Sequence, residues 1–189
     1  DNAYVWRYPF PATVQKQLVS ADNLSGSVTN SDLEHTALLA QVDAMCCLTD
    51  LAYATLENFS DNTPAVSRVR KGAVASHGAA AALCGFASDH QRLHRYCHVA
   101  QYLPGEQNTM ADDASRLQAL TDVAFLSHFN QRYPQPRPWQ LLHLRSETAS
   151  RLISSLLCKS PTPPSPAKPP RPASKSSVFG QPSVLSTVS

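Results

Sequence analysis

Prolines divide this chain before any other feature does. Eight of its 15 prolines fall between Pro161 and Pro182, most of them in "KSPTPPSPAKPPRPASKSS". Each ring removes a backbone donor and fixes φ, and the intervening Ser and Lys bring little apolar surface to bury. Residues 159–189 are therefore expected to form a disordered Pro/Ser-rich tail with local polyproline II character. A ligand segment for an SH3-like module is the functional alternative for that tail. The fold must come from the first 158 residues, which suffice for one domain. With 42% hydrophobic residues in the chain, a core can be built.

The net charge of +2 hides an asymmetry. The tail holds four basic residues and no acidic one, so the preceding 158 residues hold 12 basic and 14 acidic. Bulk charge is not that of a strongly basic nucleic-acid binder. No apolar run approaches the roughly eighteen residues of a membrane span. The opening "DNAYVWRYPF" has neither the basic start nor the apolar stretch of a secretory signal. The five cysteines, Cys46, Cys47, Cys84, Cys97 and Cys158, are odd in number and show no Cys-x-x-Cys pair or Cys/His ligand spacing. That pattern favours buried thiols in a reducing, intracellular compartment, cytoplasmic or nuclear, over a disulfide framework or a zinc site.

Strand and helix signals alternate along the body of the chain. "AYVWRYPF" (3–10) is aromatic and β-branched and stops at Pro9 and Pro11, so it reads as a strand. Residues 11–29 are turn-rich. In the stretch from Asn30 to Leu56, Leu33, Ala37, Leu38, Val42, Met45 and Cys46 recur at helical spacing and predict the longest helix. A short strand follows at Thr55–Ser60, then a helix that Pro64 helps to start. "HGAAAALCGFASDHQRL" predicts another helix, and "HRYCHVAQYLP" a strand halted at Pro104–Gly105. "NTMADDASRLQAL", "DVAFLSHFNQRYP" and "SETASRLISSLL" predict three more helices. The order is that of an α/β domain with helices covering a partly parallel sheet.

Three carboxylates stand at the ends of elements. Glu34 lies in the first turn of the long helix, Asp61 closes a strand, and Asp112 opens the helix after the last predicted strand. Strand ends and helix starts form the ligand-binding crevice of α/β folds. Carboxylates converging there repel unless a cation joins them, and oxygen ligands suit Mg²⁺. Each also has a structural reading. Ser31-x-x-Glu34 fits a capping box. Asp61 fits an N-cap ahead of Pro64. Asp112 and Asp113 fit a first turn favoured by the helix dipole. The informative feature is the set of three.

Taken together, "TNSDLEHTALLA", "FSDNTPAV" and "YLPGEQNTMADDASRL" resemble the ribonuclease H-like domain that follows reverse transcriptase in retrotransposon polyproteins. The last motif of that family has the form Pro-Gly-x-x-Asn-x-x-Ala-Asp-x-x-Ser-Arg. Pro104, Gly105, Asn108, Ala111, Asp112, Ser115 and Arg116 fill it. The spacing of 27 residues from Glu34 to Asp61, and of 51 from Asp61 to Asp112, also suits the family. The resemblance implies a ribonuclease H-like mixed sheet flanked by helices over residues 1–120. A helical extension would follow at 121–158, and the tail at 159–189.

By the same resemblance, Glu34, Asp61 and Asp112 are Mg²⁺ ligands and catalytic carboxylates. They would cut the RNA of an RNA–DNA hybrid, with a reverse transcriptase domain upstream in the polyprotein. The family has a fourth carboxylate, an Asp on the first, central strand. "NAYVWRYPF" resembles the third strand, so the first strands and that Asp are expected to be missing, leaving a gap in the sheet and an inactive fragment. The alternative is a non-catalytic nucleic-acid-binding or interaction remnant.

Arg68, Arg70, Lys71, Arg92 and Arg95 form the main basic cluster of the body. They are candidates for phosphate contacts to a hybrid, against the alternative of a solvated face. His90 and His94 stand at i, i+4, a spacing that can hold a metal, although surface histidines are the commoner case. Trp6 and Trp139 are expected in the core.

Overall fold

The long helix starts two residues earlier than its Ser31-x-x-Glu34 signature indicates. In the computed structural model, which describes residues 2–74 and 77–158, Thr29 is the N-cap and Asp32 closes the capping box. The Thr29 N–H donates to Asp32 Oδ2 at 2.7 Å, while the Asp32 N–H donates to Thr29 Oγ1 at 3.3 Å. This places the helix, α2, at Asn30–Cys46 and leaves Glu34 free of capping duty. The expected disordered tail lies outside the described residues.

The element order is β1 (Tyr4–Trp6), α1 (Ala12–Gln15), α2, β2 (Thr55–Ser60), α3 (Thr63–Lys71), α4 (Ala79–His94) and β3 (Cys97–Tyr102). A 3-10 turn at Gly105–Gln107 follows, then α5 (Thr109–Arg116), α6 (Asp122–Arg132), β4 (Gln140–Leu142) and α7 (Ser146–Leu156). The chain is thus α/β. Its ends are set by local chemistry. Asn62 caps α3 through the Ala65 N–H, and Gly72 ends it in the left-handed region at φ 61°. Thr121 caps α6 through the Ala124 N–H.

The expected single mixed sheet is not what forms. β2 and β3 pair in parallel from Thr55↔Cys97 to Ser60↔Tyr102. β1 pairs in parallel with β4, Val5 facing Leu141. Among the described residues these are two separate two-stranded sheets. β1 finds its partner not in its sequence neighbours but in a three-residue strand that follows the prolines at 134, 136 and 138.

Residues 121–158, expected as a helical extension, pack into the same apolar clusters as the preceding chain. Leu152 and Leu156 of α7 are fully buried with Val14, Val28, Leu39 and Leu83 in the largest apolar cluster. Phe125 and Phe129 of α6 pack on Val5 of β1, with Trp139 and Leu141 against them. The segment expected as an extension therefore supplies part of both of these clusters. Trp139 is half-buried and donates its indole N–H to the Tyr133 carbonyl at 2.6 Å. No helix among the described residues is long and apolar enough to cross a membrane.

Candidate functional site

The turn that carries Asp61 is fixed on both sides. Ser60 Oγ, buried at the end of β2, accepts from the Asn62 N–H at 3.1 Å. The Ser60 carbonyl accepts from the Leu103 N–H at 3.0 Å, which ties the ends of β2 and β3 together. Since Asn62 takes the N-cap of α3, Asp61 has no capping role. Its carboxylate instead lies against Gly105, where an added Cβ would stand 3.1 Å from Asp61 Oδ2. The Pro-Gly step after β3 thus passes close to the acid, and a side chain at Gly105 would press on it.

Glu34 is brought to the same place by α2. Arg68 of α3 donates to the buried Asp32 Oδ1 at 2.7 Å, holding the start of α2 against α3. Glu34 and Asp61 then line one cleft of about 730 Å³, together with Asp112 of α5. Burial above all, and then the negative charge of Asp61, push the Glu34 carboxyl above its usual range. Among the described residues neither Glu34 nor Asp61 has a hydrogen-bond donor or a cation as partner.

Asp112 is different. It is exposed, in the first turn of α5, and pairs with Arg116 at 2.8 Å in an i, i+4 ion pair. Asp113, its neighbour, turns the other way. It accepts from the Tyr133 hydroxyl at 2.8 Å and lies 3.1 Å from His128 Nε2, so it tethers α5 to α6. These two bonds hold the Asp113 carboxyl below its usual range.

Aromatic side chains also line the cleft. Trp6 and Phe10 line it from β1 and the strand's exit, and Phe59 from β2.

The five basic residues do not gather at this cleft. Arg68 is engaged by Asp32, and Arg70 donates Nε to the Ala100 carbonyl at 2.8 Å. Arg95 donates to the Tyr53 hydroxyl at 3.1 Å and lies over its ring. Arg92 pairs loosely with Asp89 at 3.8 Å. Arg92 and Arg95 precede β3, at the opposite end of the parallel strands from Asp61. Six strand residues put them about 20 Å away. Lys71 ends α3, exposed.

Sequence reasoning missed a second charged centre. Asp43 is fully buried on α2, and its carboxylate meets His90 Nε2 at 3.2 Å and the Arg145 guanidinium. Despite burial, its bonds to His90, Arg145 and Thr148 lower its pKa to about 2. The signal was present in the sequence, since Asp43 stands on the apolar stripe of α2, beside Val42 and four residues after Leu39.

As to the cleft, its donor set is three carboxylates from α2, the turn after β2 and α5, all oxygen, with Glu34 and Asp61 unpartnered among the described residues and Glu34 raised by burial and then by the Asp61 charge. Oxygen donors of this type are those a hard divalent cation prefers, but the three do not converge within ligand distance: among the described residues the potential ion-holding group with donor atoms all within 4.8 Å is Cys46, His90 and His94. No family model, no curated protein and no solved structure matches this chain.

Proposed function

We propose that the chain is a ribonuclease H-like domain of the retroelement kind, with Glu34, Asp61 and Asp112 holding Mg²⁺ in a cleft that receives an RNA–DNA hybrid. The observation that carries this reading is that the three carboxylates line one cleft, with Glu34 and Asp61 free of the capping roles their sequence positions suggest. Filling of the Pro-Gly-x-x-Asn-x-x-Ala-Asp-x-x-Ser-Arg motif by residues 104–116 supports it. So does the close approach of Gly105 to Asp61, a physical reason for that motif's glycine.

Glu34 and Asp61 would be the first holders of the ion, since their mutual repulsion is what a cation relieves. Asp112 would join on exchanging Arg116 for the metal. Exposed i, i+4 pairs of this kind contribute only about 0.3–0.5 kcal/mol, so the exchange is easy. In an intact member of that family, bound Mg²⁺ would polarise phosphoryl oxygens and activate water for phosphodiester cleavage. The ends of β2 and β3, tied through Ser60 and Leu103, hold Asp61 at the cleft. Asp113, through His128 and Tyr133, keeps α5 oriented so that Asp112 faces it.

The test is calorimetric titration of Mg²⁺ into the purified chain, alone and with an RNA–DNA hybrid, with hybrid cleavage followed in parallel. Expected are Mg²⁺ binding strengthened by the hybrid and its loss in Asp61→Asn. Equal Mg²⁺ binding in Asp61→Asn sinks the site.

The Asp112–Arg116 pair is the observation favouring a second reading, a non-catalytic nucleic-acid-binding or interaction remnant. Under it, hybrid binds without any dependence on Mg²⁺.

A further inference from the structure

The C-terminal ends of α2 and α4 meet at a group of side chains that the acidic cleft does not use. Cys46 is the last residue of α2, and His90 and His94 share one face of α4 at i, i+4. The sulfur and one ring nitrogen from each histidine all lie within 4.8 Å of one another. The His90 and His94 rings are 4.4 Å apart, centre to centre. With bonds of about 2.0–2.1 Å to nitrogen and about 2.3 Å to sulfur, a tetrahedral ion needs donors roughly 3.3–3.7 Å apart. Small rotations of the half-buried Cys46 and His94 close that difference, while the buried His90 stays in place.

We propose that Cys46, His90 and His94 form a Zn²⁺ site that clamps α2 to α4, with water in the fourth position. The donor set is sulfur and imidazole, which suits a borderline ion and not the hard ion of the carboxylate cleft.

The surroundings of His90 are those of a metal ligand. Its Nε2 lies 3.2 Å from the ionised Asp43 and its Nδ1 lies 2.9 Å from the Tyr96 hydroxyl. A carboxylate only accepts, so the neutral ring carries its proton on Nε2 and its lone pair on Nδ1. Burial above all keeps the Tyr96 phenol protonated, and without the ion its O–H donates to that lone pair. A carboxylate on the far nitrogen is the arrangement that fixes tautomer and orientation in histidine ligands. Arg145 lies near Cys46 and His94, but Asp43 pairs with it.

On binding, Zn²⁺ displaces the Tyr96 hydroxyl from Nδ1, and the Cys46 thiol gives its proton to solvent as the sulfur–metal bond forms. Burial, and after it the Asp43 charge, push the thiol up to about 11, and the cation at the sulfur reverses this.

The experiment is titration of the full chain with Co²⁺ and then Zn²⁺ in reducing buffer, read by absorbance and thermal melting. Expected are one Co²⁺ per chain with thiolate-to-cobalt charge transfer and tetrahedral ligand-field bands, displaced by Zn²⁺ with a rise in melting temperature. Cys46→Ser abolishes the charge-transfer band, and His94→Gln weakens Zn²⁺ by at least roughly 100-fold. Both side chains are half-buried, so the variants are expected to fold, and each tests the site separately. Cys47→Ser, exposed, is without effect. No thiolate band, or Cys46→Ser and His94→Gln each binding as the parent does, overturns the site. So does loss of the band in Cys47→Ser alone.

Discussion

Two carboxylates on one helix meet opposite surroundings. Glu34, near the start of α2, faces the cleft with Asp61 beside it and no donor or cation among the described residues. Asp43, two and a half turns later, is fully buried with His90, Arg145 and Thr148 around it. The first has its carboxyl pushed up and the second has its pKa lowered to about 2. Burial raises both. What separates them is whether donors and positive charge accompany the burial. A partnered acid belongs to the scaffold, and an unpartnered one faces where something else must bind.

The largest expected effect tests the scaffold side. Asp43→Ala leaves the Arg145 charge and a His90 donor without their acceptor. It should destabilise the fold by about 3–5 kcal/mol in urea denaturation, the range for breaking one partner from a buried pair. A change under 1 kcal/mol would mean that Asp43 is not the hub linking α2, α4 and α7.

Next is the pH dependence of that scaffold. His35 and His98 are buried, each with one ring nitrogen lacking a partner among the described residues, and burial lowers both to about 4. The nearby Arg68 charge adds to this for His35. Between their unfolded pKa of about 6.5 and about 4, the unfolded chain binds more protons than the folded one. Stability is therefore fully present above pH 6.5 and is lost as pH falls toward 4, by up to ~3 kcal/mol for each histidine. Asp43 extends the loss from about pH 4 toward 2, since a carboxyl held low stabilises only where it is ionised. Stability flat from pH 7 to pH 4 would contradict the buried, neutral placement of both histidines.

The cleft side predicts the reverse sign. Glu34→Gln removes a partly buried charge that faces Asp61, so without metal the fold should gain up to ~1 kcal/mol while Mg²⁺ binding is lost. Destabilisation beyond ~1 kcal/mol would place Glu34 with Asp43 among structural acids. The smallest stability effect is expected from Gly105→Ala. The added Cβ meets Asp61 Oδ2 at 3.1 Å, so the carboxylate must shift by a few tenths of an ångström. Stability should fall by less than ~1 kcal/mol, yet Mg²⁺ affinity should drop measurably in the same titration.

Much of the fold was legible because its signals are local. β2 falls at the expected Thr55–Ser60, β3, α5, α6 and α7 lie within the segments whose periodicity or composition announced them, and α4 runs one residue past its segment, taking His94 from the expected strand. β4 was not legible, because three residues after a run of prolines carry no periodicity and become a strand only through β1. The capping box at Thr29 and Asp32 competed with an equally good one at Ser31 and Glu34, and the Arg68 contact to Asp32 distinguishes the two. The basic cluster looked like one surface in the sequence. In space Arg68 is drawn to the buried Asp32 and Arg70 to the Ala100 carbonyl, while Arg95 lies on the exposed Tyr53 and Lys71 and Arg92 stay exposed.

By itself the sequence determined which residues could carry chemistry: the acids at element ends, the Pro-Gly motif and the i, i+4 histidines. Helix spacing, caps and breakers act over a few residues, so these features are written in short stretches. Only the tertiary structure decided how they are used. It freed Glu34 and Asp61 from capping, turned Asp112 to the cleft and Asp113 to α6, and carried Cys46 across 44 residues of chain to His90. Charge–charge and ligand distances are properties of packed elements, and no spacing along the chain encodes which helix ends will meet.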